Sequence, residues 1–264
     1  MARDLSEVLH FFVPKPSSPE KSFGGSLAGL ESARPSALPV LAIPIGDHDV
    51  VRAAFAWNLT VEIARLGGRA VLVAPDFEDP SPLWPTPHAK PLGAEMIFSS
   101  GQTPQGLSRL IDQVSAERAP KARQGGLIIA RIPPTWLREP NEISPWLRWS
   151  LLFGTPEPDD LRETYAVGKL ITRVCPRAQV GLTVHGVDRR KQAEQAFARL
   201  SLARQKHLGR PLLSYGMLID DLHVYRSIVA QKPIGLCHPQ SLAARALGDV
   251  AGILLEDARK LAGA

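Results

Sequence analysis

The stretch Val40 to Asp76 constrains this chain most: VLAIPIGDHDVVRAAFAWNLTVEIARLGGRAVLVAPD. An apolar run, Val40 to Ile45, passes through a short polar loop, Gly46 to Asp49, into a segment with helical periodicity. Val51, Phe55, Leu59, Ile63 and Leu66 recur there every three or four residues, with Arg52, Glu62 and Arg65 between them. That spacing predicts a helix with one apolar and one polar face. After Gly67-Gly68 a second apolar run, Ala70 to Val73, completes a βαβ unit. Both flanking runs are apolar without alternation, as parallel strands covered on both faces require. A loop between a first strand and its helix is a natural phosphate site, because the helix N-terminus offers free N–H groups and partial positive charge.

The loop itself carries the wrong chemistry for phosphate. The region resembles the MinD/ParA family of P-loop ATPases, in particular its flagellar-number branch, FlhG. The family writes this loop GKGGVGKT, with an Asn five residues after the Thr. Laid without a gap, Gly46-Asp47-His48-Asp49-Val50-Val51-Arg52-Ala53 occupies it, and Asn58 falls on the Asn. Gly46 and Val50 match. Asp47 replaces the signature lysine, His48 and Asp49 the paired glycines, Val51 the last glycine, Arg52 the phosphate lysine, and Ala53 the threonine that ligates magnesium. Glycines let backbone approach phosphate closely, and the hydroxyl holds the metal. Two charges about 4 Å apart interact by roughly 4 kcal/mol at the effective dielectric of a partly buried site, so Asp47 and Asp49 would repel a triphosphate by several kcal/mol.

Further ATPase elements are altered. The acidic motif after the family's second strand, DAD, is Ala74-Pro75-Asp76 here, and the strand that should carry the Walker B aspartate reads Gly126 to Ala130 followed by Arg131-Ile132-Pro133-Pro134. No acid stands at the metal position. The second half follows the family more closely: Leu151 to Gly154 as a strand, then Thr155-Pro156-Glu157-Pro158 capping a helix with Leu161, Tyr165, Gly168 and Ile171. Val180 to Val184 reads as a strand leading to His185, a loop residue where the family places an adenine-contacting Asn. Ala193, Phe197, Leu200 and Leu208 mark a helix, Leu213 to Leu218 a last strand, Ile219-Asp220-Asp221 the family's PDD turn, and Gln240 to Leu255 a closing helix. Met96 to Phe98 and Leu107 to Val114 supply a further strand and helix, and the resemblance spans Val40 to Leu255.

These features predict an α/β fold of three layers around a mostly parallel sheet, at residues 40–264. Residues 1–13 contain a candidate short amphipathic helix with Leu5, Val8, Leu9 and Phe12 on one side, and the Pro/Ser/Gly-rich stretch 14–39 reads as a tether. The resemblance implies a weakened nucleotide site at Gly46, Arg52, Asp76, His185 and Asp220. Catalytic residues and metal ligands are not expected. ATP or ADP with magnesium is the cofactor the fold would allow, with hydrolysis weak or absent.

Charge and composition narrow the partners. At 44% hydrophobic and 22% charged, the chain has the balance of a globular protein, and no apolar run approaches a membrane span. A cytoplasmic location is expected. Cys175 and Cys237 read as isolated buried thiols. Between Arg162 and Arg210 eleven Lys or Arg face three acids, so Arg189, Arg190, Lys191, Arg199, Arg204 and Lys206 are candidates for contact with non-specific DNA or a protein partner. Solvated outer faces of two amphipathic helices would give the same sector. The sequence ends at Ala264, soon after the closing helix, so the family's C-terminal membrane anchor is not expected. The functional expectation is a non-hydrolysing scaffold or regulator of flagellar, pilus or division-site placement, acting with a protein partner or as a homodimer. The alternatives are a nucleotide-binding switch and a DNA-binding module.

Overall fold

The computed structural model describes residues 38–76, 81–85, 90–118, 125–138 and 143–263. The candidate helix at 1–13 and almost all of the tether at 14–39 lie outside them.

Seven parallel strands form one sheet: β1 (Val40–Pro44), β2 (Arg69–Pro75), β3 (Glu95–Ser99), β4 (Gly126–Ile132), β5 (Trp149–Gly154), β6 (Gln179–Val187) and β7 (Leu213–Ile219), ordered β3-β2-β4-β1-β5-β6-β7. Every adjacent pair runs parallel, so each connection must cross over a face of the sheet. The helices are α1 (Val50–Arg65), α2 (Pro104–Arg118), α3 (Pro158–Val174), α4 (Arg190–Leu208), α5 (Leu222–Val229), α6 (Ile234–Cys237) and α7 (Leu242–Gly263). One apolar layer packs α1, α5 and α7 on the sheet; the other packs α2, α3 and α4 on its opposite face. The expected three-layer α/β architecture is present, with the sheet wholly parallel.

The first βαβ unit sits at the centre of this arrangement. Asp49 caps α1, its side chain accepting from the Arg52 N–H at 3.0 Å. The chain leaves α1 through Gly67 at φ +82°, a conformation glycine adopts without the Cβ clash. Because α1 lies between the sheet and α7, the residues Ala53 to Ile63 are all buried, and the simple two-faced helix read from the sequence does not hold. Glu62, expected on the polar face, is buried at 1% exposure and takes a 2.7 Å bond from Arg65 Nε, while Leu66 is 45% exposed. Asn58 ties α1 to α6, donating to Ala54 O and accepting from the Ile234 N–H, both at 2.7 Å.

Candidate functional site: a self-paired loop at the centre of the sheet

β1 is the middle strand, and its register with β4 sets Ile43 beside Arg131 and Pro44 beside Ile132. The loop leaving β1 therefore begins next to the end of β4. Ile45 N–H continues the ladder to Ile132 O at 3.0 Å, and Arg131 Nε returns a 3.1 Å bond to Ile45 O. The Arg131 side chain is 2% exposed, its guanidinium lies 5.0 Å from the Trp84 ring centroid, and its Nη2 meets the Asp47 carboxylate. Asp47 on the loop after β1 and Arg131 near the end of β4 are thus each other's partner. Burial pulls the Arg131 pKa down, and Asp47 offsets only part of that shift.

A second cluster closes the other side of the loop. Arg52 on the first turn of α1 gives Nη1 to Asp49 Oδ2 at 2.9 Å and Nη2 to Asp160 Oδ1. The other oxygen of Asp160 accepts the Thr155 N–H. Asp160 belongs to the first turn of α3, where its charge also suits the helix dipole, so it staples the β5–α3 turn to the β1–α1 loop. Burial alone would lower the Arg52 pKa, but Asp49 and Asp160 reverse that and hold it above its ordinary value. Neither Asp160 nor Arg131 stood among the sequence candidates. The sequence cue for Arg131 is only its place after the apolar run Gly126 to Ala130, in a segment without an acid; Asp160 has none beyond its place in a helix first turn.

His185 corrects one expectation. It is no loop residue: β6 runs on to Val187, and the imidazole packs under the Arg52 cluster, its centroid 5.2 Å from Phe55 and 6.4 Å from Phe153. It is 9% exposed, and Nε2 is buried without a hydrogen-bond partner. Desolvation first, then the nearby Arg52, lower its pKa to about 4, against the opposing pull of Asp160 and Asp49.

The other candidates share the C-terminal end of the parallel strands but are spread along its width: Gly46 opens the β1–α1 loop, and Arg52 and His185 come together beside it. Asp76 is exposed after β2, two strands from β1, and exposed Asp220 follows β7 at the sheet edge, accepting from Tyr225 Oη at 3.4 Å. A Cβ on Gly46 would meet nothing within 4 Å, so no close approach in the fold demands glycine there. Of the basic candidates, Arg189, Arg190, Lys191, Arg199 and Lys206 are exposed, with Arg190 Nε paired to Glu194 at 2.6 Å. An open depression of about 560 Å³ beside Asp188, Arg189 and Lys191 adjoins the start of α4. Arg204 must be withdrawn: it is 1% exposed and donates Nη1 to Gly168 O at 3.1 Å, because it falls in the stripe of α4 that faces α3. Cys175 is buried, but Cys237 is only half-buried.

The side chains at the loop do not fit a magnesium triphosphate. The carboxylates of Asp47, Asp49 and Asp160 hold Arg52 and Arg131, and Ala53 offers no hydroxyl. The loop binds itself.

No protein-family model matches the sequence, and no curated protein matches it by sequence. Solved structures do match. The MinD cell division protein of Aquifex aeolicus aligns with TM-score 0.60 at 14% identity, over 83% of this chain and 97% of that one. A ParA family ATPase from Chlorobium tepidum gives 0.58 at 14%, over 83% and 99%. The septum site-determining protein MinD of Pyrococcus horikoshii, solved with Mg-ADP, gives 0.51 at 14%, over 82% and 95%. Identities this low establish the architecture alone: the chain has the fold of the MinD/ParA-type P-loop ATPases.

Proposed function

We propose that this chain is a non-hydrolysing member of the MinD/ParA-type proteins, close to the FlhG branch, that acts as a cytoplasmic scaffold or regulator in flagellar, pilus or division-site placement. One observation carries the reading: both arginines at the loop are engaged by carboxylates of the chain itself, Arg131 by Asp47 and Arg52 by Asp49 and Asp160. A loop that supplies its own anions has no charge left to attract phosphate. The domain at 40–264 is the rigid body of the scaffold, and 1–13 with 14–39 its appended segment. A protein partner is part of the proposal, since the Aquifex MinD of the same fold has been solved in complex with MinC. The test is ATP turnover by the purified full chain. The expected result is phosphate release at background with magnesium present; magnesium-dependent turnover lost in Arg52→Ala would overturn the reading.

A second reading draws on α4 and its approach, where Arg189, Arg190, Lys191, Arg199 and Lys206 are exposed. Such a basic surface would hold duplex DNA without sequence preference, with affinity falling steeply with salt. The test is fluorescence anisotropy with a labelled duplex across a salt series, and no binding at low salt removes this reading.

A further inference from the structure

The rings of His223 and His238 meet at the surface beyond the edge strand β7: their centroids lie 4.5 Å apart and their planes cross at 56°. His223 stands in the first turn of α5, and His238 directly follows α6. Neither belongs to the core. The His223 side chain is 40% exposed, and His238 is half-buried.

Asp221 fixes the first ring. Its Oδ1 accepts the His223 N–H at 2.9 Å and lies 2.8 Å from His223 Nδ1, while its Oδ2 accepts the Ala243 N–H in the first turn of α7 at 3.3 Å. An ionised carboxylate only accepts, so Nδ1 carries the proton and the lone pair of the neutral ring is on Nε2. Metal-binding histidines use this arrangement: a carboxylate on one ring nitrogen sets the tautomer and the ring direction, and makes the other nitrogen a better donor. Among the described residues none hydrogen-bonds to the His238 ring, so a lone pair is open there as well.

Distance selects the ion. A ring nitrogen ligates a divalent transition metal at about 2.0–2.1 Å, which puts the ion roughly 3.2 Å from the ring centre. Two centroids 4.5 Å apart then subtend about 90° at the ion. A tetrahedral angle needs centroids roughly 5.2 Å apart. The shorter separation fits neighbouring positions of a square-planar or octahedral ion, and imidazole suits Ni²⁺ and Cu²⁺ of that kind.

We propose that His223 Nε2 and His238 together chelate a divalent transition cation that takes two imidazoles at a right angle, Ni²⁺ being the representative, with Asp221 as the carboxylate behind His223. Among the described residues no third His, Cys, Asp or Glu completes the set, so the remaining positions on the ion belong to water or another small donor. An ion held there ties the first turn of α5 to the segment before α7, and it uses none of the residues of the self-paired loop.

The test is calorimetric titration of the untagged full chain with Ni²⁺ in metal-free buffer, repeated on His223→Gln, on His238→Gln and, as control, on His48→Gln in the exposed loop. The expected result is one Ni²⁺ per chain for the wild type and His48→Gln, with affinity at least ten-fold weaker in each of the other two. A rise in Tm with Ni²⁺ is expected for the wild type and not for His238→Gln. The His238 ring makes no hydrogen bond to the described residues, so that variant keeps the test readable even where His223→Gln fails to fold. No heat from the wild type at millimolar Ni²⁺, or wild-type affinity in His238→Gln, overturns the proposal and leaves the two rings as a packing contact.

Discussion

The carboxylate of Asp47, on the loop after the central strand, is held by the guanidinium of Arg131, 84 residues further on at the end of the neighbouring strand. The pair is asymmetric: the Asp47 side chain is 52% exposed and that of Arg131 2%, so the arginine depends on the bond more than the aspartate does. A double-mutant cycle with Asp47→Asn and Arg131→Met isolates the pair. Allowing for screening of the exposed partner, the coupling energy is expected to be about 1 kcal/mol, read from denaturant midpoints. Arg131→Met alone is expected to cost about 2 kcal/mol through the lost Ile45 bond and Trp84 stacking. Coupling near zero would mean the pair does not order the loop.

Asp160 holds two donors at once, Arg52 Nη2 and the Thr155 N–H. Asp160→Asn keeps the shape and removes the charge. It is expected to destabilise the fold by about 1–3 kcal/mol, the range for charge-assisted bonds in a partly buried site. Unchanged stability would show that the two loops are held independently.

His185 makes stability depend on pH. Its pKa is about 4 in the fold against an ordinary 6.5, so the unfolded chain binds the extra proton in that interval. Stability is therefore full above about pH 6.5 and falls as pH drops toward 4, by at most about 1.4 kcal/mol per pH unit. Carboxylates titrate in the same region, so the readout is the difference between wild type and His185→Phe. The variant, packing on Phe55 and Phe153 and leaving no buried Nε2, is expected to have the shallower slope from pH 6.5 to 4. Identical slopes would contradict the burial of neutral His185.

Two glycines make opposite predictions. A Cβ on Gly235 would collide with Oε1 of buried Glu62, so Gly235→Ala is expected to cost about 2 kcal/mol or more, with partial rescue by Glu62→Ala. Gly46→Ala meets no atom within 4 Å and is expected to change stability by less than about 0.5 kcal/mol. A large loss at Gly46 would contradict the open surroundings of its Cα.

The fold was legible because its determinants are local. Apolar runs such as Val40 to Ile45 and Gly126 to Ala130 require a strand buried on both faces, and the periodicity of α1 fixes the crossover. Pairings across the sheet were not. That Asp47 finds Arg131 depends on strand order, which places β4 beside β1; in the sequence they stand 84 residues apart with nothing local to pair them. Arg204 shows the converse error. Counted within a basic run it looked solvated, yet it follows Leu200 by four residues in the stripe Ala193, Phe197 and Leu200, and that register predicted burial. The apolar run ends at Val184 and so predicts a loop at His185, whereas the ladder carries β6 to Val187.

The most direct test of the self-paired loop is isothermal calorimetry of the full chain with ATP and ADP, each with magnesium, alongside Arg52→Ala. No heat of binding is expected for either nucleotide with either protein, because the carboxylates of Asp47, Asp49 and Asp160 already hold the arginines that phosphate would need. Binding by the wild type that Arg52→Ala abolishes would contradict it, and would show that the pairs open to admit phosphate.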